Sequence, residues 1–442
     1  MNNDNSVVKE FYITKLYGER NVRIKFDSPY KIIVAENGYG KTTILNCFYA
    51  LLSGDISKLR KIDFEDIGII FFNKDPISFT KIEFNIDLEA IESIRYYRHL
   101  EREIGKEGII QLIDETWSLS YRDSQSARIY NKITDEINLP PRVIREFLDE
   151  IRQIQNENHL STHTQQKINL IKEVLGLKTL YLPTYRRVEE DIRAFGNGES
   201  YRNSSINFGM QDVQESIDAI TSEILSSSVE WFSKINGQML SQLISGFSVT
   251  DDMQQSISDS KAVQTVLERI GKNISEDHKK QILNLVESGK IQKGHKPLVY
   301  FVSNLLKVYE QQQENDEAIQ NFTKVCNRYL SDKEIVYDES NVTISIVRKK
   351  NNSTVNIESL SSGEKQIISL FAMLYLQKKE NLAIFFDEPE LSLSMEWQKT
   401  LLPDIVNSGK CKFLFATTHS PFIFENDLQN NTVDLFDYIE EL

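Results

Sequence analysis

The sequence predicts an α/β fold in which a mixed sheet draws strands from both chain ends, with a largely helical insertion between them. Three observations carry that expectation. Near the start, the apolar run Lys31–Val34 leads through a glycine-containing loop into the amphipathic stretch Thr42–Leu52, the order strand, loop, helix. Near the other end, the apolar runs Leu382–Phe386 and Lys412–Ala416 flank a helical stretch, Glu396–Asn407. Between these ends, the pattern from Met210 to Leu330 is mainly helical.

Taken in order, Phe11–Phe26 holds two extended stretches around a turn at Gly18. Lys31–Val34 reads as a buried strand, Thr42–Leu52 as a helix closed by Gly54, and Ile67–Phe72 and Phe79–Leu88 as further strands. This N-terminal part of the α/β fold spans residues 1–90. A charged, helical lobe follows over 91–177, broken at Pro140–Pro141. Lys178–Leu182 returns as a core strand, assigned to a segment 178–189. Residues 190–332 form the helical insertion, opening on a loop rich in Gly, Ser and Asn and including one long helix over Val299–Leu330. Residues 333–442 complete the α/β fold, with strands in Lys333–Val347 and Thr354–Ile357, a helix from about Gly363 to Lys378, and the two apolar strands.

Composition narrows the classes. With 40% hydrophobic and 26% charged residues the chain can build a core, which argues against wholesale disorder. A net charge of -14 argues against a general grip on a nucleic-acid backbone, though not against a local basic groove, so direct nucleic-acid binding stays open. No apolar run approaches the roughly 20 residues of a membrane span, and the N-terminus lacks a secretion signal. Cys47, Cys326 and Cys411 are scattered without metal-ligand spacing, which suits a reduced, cytoplasmic protein. His159 and His163 lie four residues apart, but no acidic residue completes a metal-binding pattern, so a surface role is favoured.

Four motifs carry chemistry. Ala35–Thr42 (AENGYGKT) sits between strand and helix, where a phosphate-binding loop belongs. Its glycines let backbone N–H groups turn inward on an anion, and the following helix adds its positive end. Gly38 and Gly40 supply the flexible positions, Lys41 a cation for the β- and γ-phosphates, and Thr42 a hydroxyl for Mg²⁺. Ala35 stands where such loops begin with glycine, and is tolerated if its backbone keeps a negative φ. Second, Ile384–Glu390 (IFFDEPE) is an apolar strand ending in adjacent carboxylates. Asp387 suits the Mg²⁺ shell, and Glu388 suits the base that polarises an attacking water. Third, Leu360–Gln366 (LSSGEKQ) opens a helix on a turn whose amides and Ser361 can meet an anion. Fourth, Phe413–Pro421 (FLFATTHSP) is a buried strand ending at His419.

The four motifs, in this order and spacing, resemble the ABC-type ATPase superfamily in its SMC, RecF and OLD branch. The resemblance covers roughly residues 8–90 and 340–425. It implies an ABC-type P-loop head, ATP and Mg²⁺ as cofactors, and slow ATP hydrolysis. It also implies Glu388 and His419 as catalytic residues, with His419 as the switch that reaches the γ-phosphate. Nucleotide contacts would come from Asn37, Gly38, Gly40, Lys41, Thr42, Thr43, Ser361, Ser362 and Gly363, and metal contacts from Thr42 and Asp387. Leu391–Gln398 resembles the D-loop of that family. Its signature turn caps ATP held by another copy, so the chain is expected to work as a dimer or higher oligomer of itself. The family's Q-loop glutamine is not identified.

Tyr181–Glu189 (YLPTYRRVE) reads as a core strand ending at Pro183, followed by a basic turn that is either solvated or delivers Arg186 or Arg187 toward the nucleotide or an interface. The segment is similar to ones in ATPases of the Septu, retron and PARIS anti-phage systems. That resemblance implies a defence ATPase controlling a separate nuclease chain of HNH or toprim type, with a reverse transcriptase–msDNA complex as a further partner if retron-associated. No membrane partner is expected. The 23 residues after His419 leave no room for a toprim domain on this chain, so a nuclease is expected on another. Two other functions stay open: a RecF-like DNA-repair ATPase, and a nucleotide-locked scaffold with little turnover.

Overall fold

The computed structural model describes residues 7–36, 38–84, 94–117, 146–147, 149–150, 162–183, 210–270, 274–377 and 380–442. It divides into two units: Met1–Thr179 with Asn431–Leu442, and Leu180–Asn430.

The first unit runs β1 (Val8–Leu16), β2 (Arg20–Lys25), β3 (Tyr30–Val34), α1 (Lys41–Ser53), α2 (Ile56–Arg60), β4 (Asp66–Phe71) and β5 (Ile77–Thr80). Helices α3 (Lys81–Phe84), α4 (Tyr97–Trp117) and α5 (Thr162–Leu175) follow, and β6 (Lys178–Leu182) crosses the boundary. Residues from the far end of the chain return to this unit. Strand β1 pairs antiparallel with β2 and β4, and β4 with β5. The last strand of the chain, Ile439–Glu441, pairs antiparallel with β2, and Thr432–Asp434 pairs parallel with β3. Strands from both chain ends therefore share a sheet.

Packing explains why α1 sits where it does. Its inward residues Ile44, Leu45 and Phe48 are fully buried, and the Phe48 ring stacks on Phe11 of β1 at 4.4 Å. Gly54 closes the helix at φ 73°, the left-handed conformation glycine adopts without steric cost. The strand expected over Phe79–Leu88 stops at Thr80, because Lys81 opens a helical turn. The Lys81 ammonium donates to the carbonyls of Leu59 and Arg60 at 2.9 Å, satisfying the end of α2. Residues 85–88 lie outside the described residues.

The second unit opens with α6 (Met210–Ser245), α7 (Asp251–Ser256), α8 (Ser260–Arg269), α9 (Glu276–Glu287) and α10 (Lys296–Tyr329). These pack through Ile235, Val263, Leu267, Val302 and Leu306. Helix α10 starts with Pro at its first turn and then runs without Gly or Pro, so one long helix is the natural outcome. A buried polar cluster ties the helices together. The Arg269 guanidinium donates to both Asp316 carboxylate oxygens at 2.7 Å and to Gln312 at 2.8 Å. Gln312 in turn donates to Ser227 at 2.7 Å, on α6.

Strands β7 (Lys333–Asp338) and β8 (Thr343–Arg348) form a hairpin, so Lys333–Val347 is two strands. The strand expected at Thr354–Ile357 is reduced to a single bridge, Val347 to Thr354. Helix α11 (Ser362–Tyr375), strand β9 (Leu382–Asp387), helix α12 (Met395–Asn407) and strand β10 (Cys411–Thr418) complete the unit. β9 and β10 are parallel, and every residue of β9 is buried, as its unbroken apolar run requires. Among the described residues no helix is long and apolar enough to cross a membrane.

Candidate active site

Candidate residues fall into one group in each unit. In the first, the segment after β3 turns through Gly38 at φ 95° and Gly40 at φ 83°. Among the described residues nothing lies within 4 Å of where a Cβ would sit at either position, so the requirement is conformational: these dihedrals are open to glycine and strained for other residues. Ala35 keeps a negative φ and is buried, which satisfies the condition on its replacing a glycine. Asn37 lies outside the described residues.

Lys41, the first residue of α1, is buried and donates to the carbonyls of Ala35 at 2.5 Å and Glu36 at 3.0 Å. Two carbonyls thus hold the ammonium over the loop. Among the described residues the start of α1 has no side-chain cap and no acidic residue in its first turn, so the positive helix end is not neutralised from within. Thr42 and Thr43 follow at intermediate exposure. Two supports were not read from sequence: Arg20 donates to the Tyr39 carbonyl at 3.4 Å, and the Tyr39 ring meets Phe436 edge-on at 4.5 Å. Both depend on strand pairing that no local pattern reveals.

The second unit gathers the carboxylates, the histidine and the signature turn. Asp387 ends β9, is buried, and accepts from the Thr417 hydroxyl of neighbouring β10 at 2.8 Å. Glu388 follows at φ 47°, a left-handed conformation that costs a non-glycine residue roughly 1–2 kcal/mol. Its backbone N–H donates to the Thr417 carbonyl at 2.9 Å, which holds the strained turn in place. The Glu388 carboxylate lies 3.7 Å from Nδ1 of His419, and the imidazole is partly exposed at the end of β10.

Glu390 was not given a role by sequence reasoning. It is 5% exposed, and its Oε1 accepts from the His419 backbone N–H at 2.9 Å and stands 3.0 Å from His419 Nδ1. The signal was present in the motif Asp387–Glu390, where only the first two carboxylates read as chemical.

The signature turn is N-capped by Ser361, whose hydroxyl accepts from the Glu364 N–H at 3.3 Å while Glu364 accepts from the Ser361 N–H at 2.8 Å. Burial would raise the Glu364 carboxyl, but hydrogen bonds from Ser361 and from Lys333 outweigh it and hold it below the ordinary range. Ser361 and Ser362 are exposed, whereas Gly363 is buried. A Cβ at Gly363 would lie 2.5 Å from the Ser392 carbonyl oxygen, so this glycine is required by the close approach of the 388–394 loop. That loop is also held by Gln366, which donates to the Pro389 carbonyl at 3.3 Å, and by Gln398, which donates to the Leu393 carbonyl at 3.0 Å. Gln398 also accepts from the Ser420 hydroxyl at 2.6 Å, one residue past His419. Arg186, Arg187 and His159 lie outside the described residues. His163 is exposed on α5.

Each group suits part of a nucleoside triphosphate with a divalent cation: a glycine-turned loop with a buried lysine, and a buried carboxylate followed by a second carboxylate 3.7 Å from an imidazole.

Comparison with known proteins bears on this arrangement. A family model described as an AAA ATPase domain matches residues 11–424. Among solved structures, the chain is similar to an Smc head bound to the C-winged helix domain of ScpA, at 13% identity and a TM-score of 0.37, covering 97% of this chain and 93% of that one. It is also similar to an Smc head domain with an extended coiled coil bound to the C-terminal domain of ScpA, derived from Pyrococcus furiosus. There the identity is 14% and the TM-score 0.38, over 98% of this chain and 96% of that one. No curated protein matches the sequence.

Proposed function

Because the chain belongs to the AAA ATPase domain family and is an ATPase, we propose that it binds ATP with Mg²⁺ and hydrolyses it at a head-to-tail interface between two copies, as the ABC and SMC resemblance of its motifs implies. The observation that carries this reading is the end of β9: Asp387 buried and fixed by Thr417, Glu388 in a strained turn, and His419 facing it. Strain of this kind persists where the surroundings over-determine it, and such places cluster at functional sites.

In this reading Gly38, Gly40, Lys41, Thr42 and Thr43 receive the phosphates, together with Asn37. Thr42 in the first unit and Asp387 in the second are each suited as a Mg²⁺ ligand, and the ion would supply neutralisation of the phosphate charge. Glu388 orients and polarises the attacking water, and His419 reaches the terminal phosphate. Ser361, Ser362 and Gly363 close over the nucleotide of the partner copy, a role for which two exposed serines at a helix start are suited.

The wider role we assign is control of a separate nuclease chain in anti-phage defence, resting on the similarity of Tyr181–Glu189 to Septu, retron and PARIS ATPases. The helical segment 190–332 is the proposed oligomer or partner surface. Its support is a bare apolar face on α6: Leu225, Val229, Leu240, Leu243 and Ile244 are all exposed, Ile244 by 91%. At about 100° per residue they fall within a single arc of about 100°, opposite the buried Ile220, Ile224 and Ile235. Exposed stripes of this kind mark interaction sites.

The test is to purify tagged Glu388→Gln protein from its native host with ATP and Mg²⁺. A stoichiometric nuclease in the eluate supports the defence reading. A bare dimer retaining DNA overturns it in favour of a repair ATPase.

A further inference from the structure

Glu390 is a costly residue where it stands. Its carboxylate is almost wholly removed from solvent, and its Oε2 is buried without a hydrogen-bond partner among the described residues. A buried carboxylate with an unsatisfied oxygen is destabilising unless what it does satisfy repays the cost. What Glu390 meets is His419, at two points: its Oε1 accepts from the backbone N–H at 2.9 Å and stands 3.0 Å from Nδ1. A lone backbone contact would fix the chain and leave the ring free to turn about its side-chain torsions. The second contact fixes the ring.

We propose that Glu390 is a positioning residue for ATP hydrolysis, holding the His419 imidazole so that Nε2 is the nitrogen presented to the terminal phosphate. This rests on the ATPase reading of the site. A proton on Nδ1 lets the ring donate to this carboxylate, and that pairing leaves Nε2 for the phosphate. The surroundings keep Glu390 from following the ring. It lies in the 388–394 loop, where Gln366 holds the Pro389 carbonyl and the Leu393 N–H donates to the Glu390 carbonyl at 3.1 Å. Glu388, 3.7 Å from the same Nδ1, is the competing acceptor. With Glu390 occupying Nδ1, Glu388 stays available for water.

The experiment compares Glu390→Leu, Glu390→Gln, His419→Ala and the Glu390→Leu/His419→Ala double variant in full-length protein. Three readouts are taken: single-turnover ATP hydrolysis, affinity for a fluorescent ATP analogue, and imidazole ¹⁵N spectra of protein labelled at its six histidines. Glu390→Leu is expected to slow hydrolysis about 100-fold, the scale of losing one aligned donor, with affinity changed less than about threefold. Glu390→Gln keeps an acceptor oxygen and is expected to lose about tenfold. The double variant should be no slower than His419→Ala, because the two act as one unit. The His419 signals, assigned by their loss in His419→Ala, should show a protonated Nδ1 in the wild type that changes in Glu390→Leu. Wild-type hydrolysis by Glu390→Leu, or a double variant slower by the product of both losses, overturns the proposal. If the wild type binds ATP without hydrolysing it, the ATPase reading fails instead, and the ¹⁵N spectra alone decide whether Glu390 holds the ring.

Discussion

Gly363→Ala is the substitution whose effect the geometry specifies most closely. The new methyl would sit 2.5 Å from the Ser392 carbonyl oxygen and 3.3 Å from Cζ3 of Trp397. Ordinary contact between such atoms begins near 3.4–3.5 Å, so the loop must retreat by roughly 1 Å. It has little freedom to do so. Ser392 is already at φ 68°, and Leu391 and Leu393 donate backbone hydrogen bonds to Glu388 and Glu390. Overpacking of this kind costs about 1–3 kcal/mol. For a unit of this size that is a fall in Tm of about 2–12 °C. Displacing the loop also moves the residues flanking Glu388, and about 1 Å at a reacting centre is worth about 100-fold in rate. Thermal denaturation and single-turnover ATP hydrolysis read the two effects together. Adding Ser392→Gly, which frees the strained position, should recover part of both. If Gly363→Ala leaves Tm within about 1 °C and the rate unchanged, the loop is not held as argued.

Other consequences are independent of that loop. Arg269→Met leaves Asp316 buried beside Gln312 without its ion pair, and should destabilise the helical segment by about 3–5 kcal/mol in denaturant unfolding. Replacing Asp316 by Leu as well should recover much of that loss. Cys47, Cys326 and Cys411 are all buried, and burial pushes the Cys47 and Cys411 thiols up to about 12. Native protein should therefore resist a thiol-specific reagent that labels all three in denaturant; rapid native labelling would contradict the packing of α1 and β10. Glu364 is held below the ordinary carboxyl range, so its contribution is complete above its unfolded value, about 4.3, and is lost as pH falls through the lowered folded value. Glu364→Gln should flatten the acid limb of a Tm–pH curve; an unchanged limb would rule the capping box out as an acid-sensitive element.

What the sequence revealed follows from where each signal lies. The apolar run Leu382–Phe386, five residues ending at adjacent carboxylates, reads by its length as a buried strand, and β9 is buried throughout. The glycines after β3 announce a backbone that other residues resist, and both take positive φ. Phe79–Leu88 misled because its mixed apolar pattern says nothing of Lys81, which ends the strand by reaching the carbonyls of α2 from more than 20 residues away. Glu390 was legible as a letter but not as a part. Its meaning depends on being buried against His419, a pairing set by the parallel register of β9 and β10. Likewise Phe436 meets the Tyr39 ring of the phosphate loop from the far end of the chain, whose strands pair with β3 and β2.

The central claim is that each hydrolytic site is made by two copies, one giving Lys41 and the other the Ser361–Gly363 turn. Lys41→Ala and Ser362→Arg chains, each inactive alone, should be mixed in equal amounts and assayed for ATP hydrolysis. A head-to-tail pair has one intact site in each mixed dimer, so roughly a quarter of wild-type activity should return. A mixture as inactive as either parent, at concentrations where mixed dimers form, would contradict the account.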